Sequence, residues 1–202
     1  MKIIAVGRNY AEHTKELNNE IPAEPVIFLK PDTAVLKNNQ AFYHPDFTEN
    51  IHYEIEVIIK ICKEGKYIQE KFAHKYFEEV GLGVDFTARD LQSKLKEKRL
   101  PWEIAKAFDN SAPISNFIPI ADLNVHHLNF KLLVNGELRQ EGNTSDMIFS
   151  IDKIIAFASQ YFTLKKGDLI FTGTPAGVGK INIGDHLTGY LESLKLLDFE
   201  IK

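Results

Sequence analysis

Two glutamates in a strand-like stretch are the first candidates for chemistry in this sequence. In "ENIHYEIEVIIK", residues 49 to 60, charged and apolar residues alternate as in a half-buried strand, which predicts Glu54 and Glu56 on one face. Residues two apart on a strand lie roughly 6.5 to 7 Å apart. Two carboxylates at that separation repel each other unless water screens them or a cation lies between them. The alternation alone leaves both interpretations open, a solvent-facing strand surface and a cation site.

Asp85 is the candidate for a third carboxylate ligand. It lies near the end of "VGLGVDF", an otherwise apolar run in which a lone acid is costly unless it is paired. Three carboxylates completed by water would suit Mg²⁺ or Mn²⁺ and would not select zinc. The alternative role for Asp85 is to cap the helix that is predicted to follow.

That helix, "TARDLQSKLKEKR", carries a second group of polar residues. Arg89, Gln92 and Lys96 share one side by their i, i+3, i+7 spacing, while Leu91 and Leu95 face the other way. A helix that begins just after Asp85 brings its first turn close to any metal that Asp85 binds. A solvated polar face would show the same spacing, so the pattern is compatible with both roles.

A histidine and a glutamate form a candidate acid-base pair near the N-terminus. In "HTKE", His13 and Glu16 are spaced i, i+3, so on a helix the carboxylate can hydrogen-bond the imidazole and raise its basicity as a general base. A surface pair without a function has the same spacing.

The glycine-rich segment "FTGTPAGVGK" is not a P-loop. Five residues separate Gly173 from Gly179, where a P-loop has four, and Ile181 follows Lys180 where a P-loop has Ser or Thr. A tight loop of this kind can hold a carboxylate with its backbone N–H groups, or it can be a simple turn.

Short apolar runs between turn residues predict most of the strands. Asn135 and Gly136 in "LLVNGELRQ" tolerate the positive φ values of a type I′ turn, so the flanking strands are expected to pair as a hairpin. Further strands are predicted at "KIIAV", "PVIFLK", "VGLGVDF", "DLIFTG" and "DHLTGYLESLKLLDFEI".

Helices are fewer than strands in this interpretation. Thr87 and Asp90 are expected to cap the helix that contains Arg89, and Ser150 is expected to cap "IDKIIAFASQY". A solvent-facing helix is predicted over "AEHTKELNNE", and a weak one near residues 69 to 79. Strands that do not alternate regularly with helices indicate an α+β fold, mostly β, with a mixed or antiparallel core and peripheral helices.

Composition and length narrow the function classes. The 202 residues suit one domain spanning 1–202, and a net charge of −4 with 26% charged residues speaks against a nucleic-acid-binding protein. The lone Cys62 can form neither an internal disulfide nor a thiolate zinc cluster. Because we find no signal peptide and no apolar run long enough to span a bilayer, the sequence predicts a cytoplasmic protein without a membrane contact.

Seven segments, taken in order, resemble the fumarylacetoacetate hydrolase family, and in particular its small members that act as acylpyruvases and oxaloacetate decarboxylases. The resemblance implies a mixed β-roll, a homodimer, and Mg²⁺ or Mn²⁺ bound by Glu54, Glu56 and Asp85. The segments are "GRNYAEH", "EPVIFLKP", "HYEIEV", "VDFTARDLQ", "LPWEIAKAFD", "VNGELRQEGNTSDMIFS" and "LIFTGTPAGVG".

The same resemblance implies roles for further residues. His13 and Glu16 match the family's catalytic dyad on a short N-terminal lid helix, which we expect to close on substrate binding. The family's substrate-contacting or charge-neutralising residues match Arg89, Gln92, Lys106 and Thr174. Arg99 departs from the pattern because relatives tend to have Gly there, and Lys60 stands where a small residue is common.

The implied activity is metal-dependent hydrolysis of the C–C bond of acylpyruvates, with oxaloacetate decarboxylation as a possible second reaction of a small 2-oxo acid. Two alternatives stay open. One is an isomerase or decarboxylase of unsaturated oxo-diacids in aromatic catabolism, and the other is a metal-binding scaffold without turnover.

Overall fold

Strands dominate the architecture. The computed structural model describes residues 1–16 and 20–202, and within them it contains fifteen strands, four α-helices and three 3₁₀-helices. The strands are β1 (Ile3–Gly7), β2 (Val26–Lys30), β3 (Val35–Leu36), β4 (Ile51–Tyr53), β5 (Ile55–Ile61), β6 (Phe77–Val84), β7 (Thr87–Ala88), β8 (Ala112–Pro113), β9 (Ile118–Pro119), β10 (Asn129–Val134), β11 (Glu137–Asn143), β12 (Leu169–Phe171), β13 (Gly179–Lys180), β14 (His186–Leu191) and β15 (Leu194–Glu200). The α-helices are α1 (Ala11–Glu16), α2 (Arg89–Glu97), α3 (Glu103–Lys106) and α4 (Ile151–Tyr161), and the 3₁₀-helices are Asp32–Ala34, Glu70–Tyr76 and Thr144–Asp146.

A six-stranded mixed sheet forms the centre of the fold, in the order β2-β1-β12-β5-β6-β9. Strands β1 and β12 are parallel and the other neighbours are antiparallel. Apolar clusters cover both faces of this sheet, the larger one containing Val57 and Ile59 and the smaller one containing Ile58 and Phe171. The predicted α+β fold with a mixed β core is confirmed.

The predicted hairpin is present in a second, four-stranded sheet. Strands β10 and β11 pair around Asn135 and Gly136, whose φ values of 55° and 81° are those of a left-handed turn. Strands β14 and β15 extend this sheet in the order β11-β10-β14-β15.

The stretch from residue 49 to 60 is two strands and not one, so the prediction of a single half-buried strand was wrong. The chain leaves the extended ladder at Glu54, where β4 ends, and β5 begins at Ile55. Strand β4 pairs with β13 and β7, whereas β5 pairs with β12 and β6 in the central sheet. Both faces of β5 are buried, since Val57, Ile58 and Ile59 are all fully inaccessible. Glu56 on this strand therefore lies in the interior, whereas Lys60 near its end is partly exposed.

Helix α4 agrees with its prediction and α2 differs at its start. The Ser150 hydroxyl accepts a hydrogen bond from the Lys153 N–H at 3.2 Å and caps α4. Thr87 does not cap α2, because it lies in β7 and Ala88 occupies the N-cap position. Asp90, the expected reciprocal partner, accepts a hydrogen bond from the Thr48 hydroxyl at 2.6 Å.

The two weaker helix predictions were partly right. The segment near residues 69 to 79 forms the 3₁₀-helix Glu70–Tyr76 and then enters β6. Helix α1 covers Ala11–Glu16, and residues 17–19 of the predicted helix lie outside the described residues. Its expected solvent-facing character was wrong for His13 and Thr14, which are buried. Within the described ranges, no helix has the length and apolar character that crossing a membrane requires.

Arg99 ends α2 in a conformation that favours glycine. Its φ is 55°, its N–H donates to the Lys96 carbonyl, and the Leu100 N–H reaches back to the Leu95 carbonyl at 2.9 Å. These bonds form a helix C-terminus of the Schellman type, in which the left-handed position is usually Gly. The departure at Arg99 therefore has a local energetic cost.

We expect Arg99→Gly to increase the free energy of unfolding by roughly 0.5 to 1 kcal/mol. Relief of the left-handed strain outweighs the entropy that Gly adds to the unfolded chain. Urea unfolding measures the change. Lys98→Gly is the matched control, since Lys98 has a φ of −85° and should lose stability on the same substitution. A loss of stability in both variants would contradict the strain at Arg99.

Candidate metal centre

Three buried carboxylates converge at one end of the central sheet. The side chains of Glu54, Glu56 and Asp85 each offer an oxygen within 4.8 Å of the others, and all three residues are at most 5% exposed. Ile55 pairs with Val84 across β5 and β6, so Glu54 and Asp85 leave the ladder side by side. The Asp85 N–H donates to the Glu54 carbonyl at 2.8 Å, which fixes this arrangement. The interruption of the strand at Glu54 thus helps to place the Glu54 carboxylate in the acid cluster.

Lys106 and Arg89 hold two of these carboxylates. The Lys106 Nζ lies 2.8 Å from Glu54 Oε2 and 2.6 Å from Asp85 Oδ2, and the Arg89 guanidinium donates to Glu54 Oε1 at 2.5 Å. Burial lowers the pKa of Lys106, but Asp85 and Glu54 outweigh burial, and the net pKa lies above its ordinary value of 10.5. Lys106 is therefore a cation at neutral pH and is unsuited to act as a base.

Lys30 is a third cation, and sequence reasoning missed it. Its Nζ donates to the Ser111 carbonyl at 3.0 Å and lies 2.6 Å from Asp85 Oδ1, although that oxygen receives no aligned hydrogen bond. Burial lowers the pKa of Lys30, and Asp85 opposes this effect. The sequence did contain a signal for Lys30, which ends the apolar strand "VIFLK". A charge buried in an apolar strand needs a partner of opposite charge, and the same argument singled out Asp85.

Glu56 is the carboxylate without a cationic partner. It accepts a hydrogen bond of 2.6 Å from the Gly173 N–H, and it forms no ion pair with any other described residue. Burial and then Asp85 raise the pKa of Glu56 well above its ordinary value. The nearby Tyr10 hydroxyl is buried without a hydrogen-bond partner in the described part of the chain. An added divalent cation would offset the uncompensated charge, so these residues fit a metal bound by carboxylate oxygens.

His13 and Glu16 form the predicted pair. His13 Nδ1 lies 3.2 Å from Glu16 Oε2, and the His13 side chain lines the pocket of the acid cluster. With the Nδ1 proton directed at the carboxylate, Nε2 keeps its lone pair. The geometry is that of an imidazole base oriented by an acid.

The glycine-rich loop holds the carboxylate of this pair. The Gly177 N–H lies 3.1 Å from Glu16 Oε1 and 3.3 Å from Oε2. Of the two interpretations of "FTGTPAGVGK", the carboxylate-holding loop is therefore correct, and the carboxylate belongs to the chain itself. Gly177 is required at this position because its φ is 94° and a Cβ would lie 2.2 Å from the Arg139 carbonyl oxygen.

Asn9 anchors the start of α1, and sequence reasoning assigned it no role. Its amide nitrogen donates to the Phe149 carbonyl at 3.0 Å and the Thr172 carbonyl at 2.7 Å, and its oxygen accepts from the Phe149 N–H. The side chain is fully buried. The base of α1 is thereby tied to the core while Gly177 ties its far end.

Gln92 and Thr174 line the pocket, with different freedom to bind a ligand. Arg89 donates to the Gln92 side-chain oxygen at 2.7 Å, as their spacing on α2 allows. The Thr174 hydroxyl donates to the Ile55 carbonyl at 2.7 Å and accepts from Gln140 at 2.8 Å. Its proton is already used within the protein, so a direct hydroxyl contact with substrate requires a rearrangement.

One pocket unites almost all of the predicted site residues. Eight of the nine line it, and Glu16 contacts His13 from outside the lining. The roles of these residues stay predictions. The cavity volume is about 40 Å³, space for roughly three water molecules and therefore for a compact ligand. Residues that sequence reasoning did not assign to a site also line the pocket, namely Val6, Gly7, Arg8, Val26, Phe28, Lys96 and Trp102.

Known proteins resemble the chain over nearly its whole length. The family model described as "Fumarylacetoacetate (FAA) hydrolase C-terminal" matches residues 2–201. A mouse protein named oxaloacetate tautomerase FAHD1, mitochondrial, is 44% identical over 99% of this chain and 91% of its own. A Dictyostelium discoideum protein named oxaloacetate decarboxylase, mitochondrial, is 46% identical over 91% of this chain and 85% of its own. The crystal structure of fumarylpyruvate hydrolase from Pseudomonas aeruginosa in complex with Mn²⁺ and pyruvate is 37% identical, with a TM-score of 0.94 over 100% of this chain and 89% of that one.

We expect Glu56→Gln to have opposite effects on the metal-free and the metal-loaded protein. Removal of an uncompensated buried charge should raise the free energy of unfolding without metal by roughly 1 to 3 kcal/mol. The rise in melting temperature on addition of Mn²⁺ should be lost, because a ligand is missing. Thermal denaturation with and without Mn²⁺ measures both effects. Glu79→Gln, at a half-exposed carboxylate paired with Lys60, is the control. A full Mn²⁺ response in Glu56→Gln would contradict the assignment.

We expect Gly177→Ala to loosen the lid helix. The added Cβ must move the loop away from the Arg139 carbonyl, and the bond from the Gly177 N–H to Glu16 is lost with it. Hydrogen exchange of the amides in residues 9 to 16 should accelerate. Gly184→Ala is the control, since Gly184 has the same φ of 94° but a Cβ added there would meet no heavy atom within 4 Å. Equal exchange in both variants would rule out this anchoring role.

Proposed function

Because this chain belongs to the fumarylacetoacetate hydrolase family, we propose that it is a Mg²⁺- or Mn²⁺-dependent enzyme that enolises a small 2-oxo acid. The observation that carries the proposal is the buried cluster of Glu54, Glu56 and Asp85 in one pocket with the His13–Glu16 pair. Carboxylate oxygens suit these hard cations. The Mn²⁺ and pyruvate in the P. aeruginosa structure support the same ligand classes.

The first candidate reaction is keto–enol tautomerisation of oxaloacetate. It is the activity in the name of the mouse relative, and the sequence analysis, which favoured acylpyruvate hydrolysis, did not name it. The reaction breaks one C3–H bond of the substrate and forms one O–H bond at the 2-oxo oxygen, with no net consumption of protons. A base near C3 and positive charge near the oxygen are sufficient for it.

The bound ion would act as a Lewis acid toward the carboxylate and 2-oxo oxygens of the substrate. His13 Nε2 would accept the C3 proton, and the Glu16 carboxylate would stabilise the resulting imidazolium through Nδ1. The imidazolium returns that proton to the 2-oxo oxygen and completes the cycle. The Lys106 ammonium, held by Glu54 and Asp85, would stabilise negative charge that develops on the substrate. Arg89 and Gln92 would orient the substrate.

Hydrolysis of acylpyruvates is the second candidate, favoured by the orientation of the dyad. His13 with a free Nε2 lone pair can take a proton from water as well as from carbon. The water oxygen would then bond to the distal carbonyl carbon, and the bond from that carbon to C3 would break. The imidazolium would return its proton to the enolate at C3, so that a carboxylic acid and pyruvate are released. Decarboxylation, the activity in the name of the Dictyostelium relative, shares the enol product but needs no nucleophile.

Other expectations stay predictions. They are a single domain over residues 1–202, a homodimer and a cytoplasmic location. The mouse and Dictyostelium relatives carry the word mitochondrial in their names.

We expect His13→Gln to lower kcat/KM for oxaloacetate tautomerisation by about 10²- to 10⁴-fold, the range for loss of a general base. The Mn²⁺-loaded protein is assayed by loss of the enol absorbance, with acetylpyruvate hydrolysis in parallel. His126→Gln, at a half-exposed histidine remote from the pocket lining, is the control.

The outcomes separate the two reactions. If His13→Gln loses hydrolysis but keeps tautomerisation, the dyad activates water and the proposed proton transfer from C3 is wrong. If the wild-type protein turns over neither substrate with Mg²⁺ or Mn²⁺, the proposed function fails.

A further inference from the structure

Two cations in the pocket lining have no acidic partner. Arg8 and Lys96 both line the pocket, and neither forms an ion pair with another described residue. Residues 17–19 cannot supply one, because Leu17, Asn18 and Asn19 carry no ionisable side chain. Both cations are partly exposed, whereas the acid cluster is buried. They therefore mark the outer part of the pocket.

An aromatic wall connects the inner and outer parts. The Lys106 Nζ, which contacts the acid cluster, lies 5.3 Å from the centre of the Phe28 ring. The Phe28 and Trp102 ring centres are 6.2 Å apart, and the Lys96 Nζ lies 5.4 Å from the centre of Trp102. Phe28 and Trp102 thus form an aromatic surface between Lys106 and Lys96.

The cations of the pocket differ in their partners. At the inner end Lys30, Arg89 and Lys106 pair with Glu54 and Asp85, while Glu56 pairs with no described cation. The charges of Arg8 and Lys96 remain in excess. A pocket with an unmatched pair of cations attracts an anion, and it does so more strongly where water is partly excluded.

The environment of Lys96 is unfavourable for a charge without a ligand. Burial lowers the pKa of Lys96, and repulsion by Arg89, Arg8 and Lys106 lowers it further. An anion bound beside it would relieve that repulsion. Lys94 on the same helix is exposed to solvent.

Arg8 is held in a strained backbone conformation. Its φ is 64°, in the left-handed region where a residue other than Gly costs roughly 1 to 2 kcal/mol. Such strain is commonly retained where the side chain contributes to a site. The position lies in the loop between β1 and α1, directly beside the lid.

We propose that Arg8 and Lys96 form a distal anion subsite, which binds the second carboxylate of a 2-oxo diacid and selects oxaloacetate over acylpyruvates with an uncharged acyl end. The proposal rests on the proposed function, since the other end of the diacid occupies the metal end of the pocket. Arg8 and Lys96 act on specificity and not on the chemical step.

The first test compares oxaloacetate with its 4-ethyl ester, which keeps the 2-oxo acid and neutralises only the distal carboxylate. The Mn²⁺-loaded wild-type protein should prefer the diacid in kcat/KM. Lys96→Met should reduce that preference by about 10- to 100-fold, the worth of a hydrogen bond to a charged group, with little change for the ester. Lys94→Met on the same helix is the control for net charge.

Arg8→Gly is a second variant, chosen because a loss of structure could not explain a reduced preference for the diacid. Glycine relieves the left-handed strain, so the free energy of unfolding should stay equal or rise while the preference for the diacid falls. Urea unfolding and the substrate pair are measured on the same preparation. A variant that is stabilised and keeps its full preference would show that Arg8 takes no part in the subsite.

Trp102 provides a readout that is independent of turnover. It is the only tryptophan of the chain and lies beside Lys96. Its fluorescence is titrated with L-malate and with lactate, which lacks the distal carboxylate. Malate should bind the wild-type protein more tightly than lactate, and Lys96→Met should weaken malate alone by about tenfold or more.

The results distinguish failure of the subsite from failure of the proposed function. Malate binding that depends on Lys96, in a protein that turns over no 2-oxo acid, would support the subsite and overturn the proposed function. Turnover with equal preference for oxaloacetate and its ester would overturn the subsite and leave the function intact. Equal weakening of malate and lactate binding in Lys96→Met would assign Lys96 a role in binding both ligands. That result would also overturn the subsite.

Discussion

The structure depends on the confinement of three carboxylates in a space from which water is largely excluded. Glu54, Glu56 and Asp85 repel one another, and burial removes the solvent that would screen them. Lys106 bridges two of them, which leaves Glu56 with a backbone N–H and no cation among the described residues. The arrangement is therefore costly for the empty protein and favourable for a cation ligand. Sites that are arranged for a ligand commonly lower the stability of the protein without that ligand.

The scaffold resists this repulsion by fixing the backbone on both sides of the cluster. The antiparallel register of β5 and β6 places Glu54 beside Asp85, and the bond from the Asp85 N–H to the Glu54 carbonyl closes the pair. Apolar clusters cover both faces of the sheet that supplies these strands. Helix α1 is tied at its start by Asn9 and at its end by Gly177. These bonds hold His13 and Glu16 beside the acid cluster in this structure.

The pocket has two chemically different ends. In the proposed function, the inner end would stabilise the enol of a 2-oxo acid, which is the step that tautomerisation, decarboxylation and C–C hydrolysis share. The outer end, with Arg8, Lys96 and Trp102, would contact the part of the substrate beyond C3. The relatives carry different named activities, and under the proposed function the outer groups and the access of water would decide among these reactions.

The sequence by itself determined the features that depend on short-range pattern: the Asn135–Gly136 hairpin, the Ser150 cap and the His13–Glu16 pair. Dihedral preference and spacing within one element suffice for these, whereas the acid cluster joins different strands and was favoured only through the family resemblance. Only the tertiary structure decided the break at Glu54, the ion pair of Lys30 with Asp85, the bond from Gly177 to Glu16 and the engaged hydroxyl of Thr174. The break follows from the pairing of β4 and β5 with different strands. The three contacts join residues far apart in the chain, and the partner of a buried charge or hydroxyl is set by packing and not by its sequence neighbours.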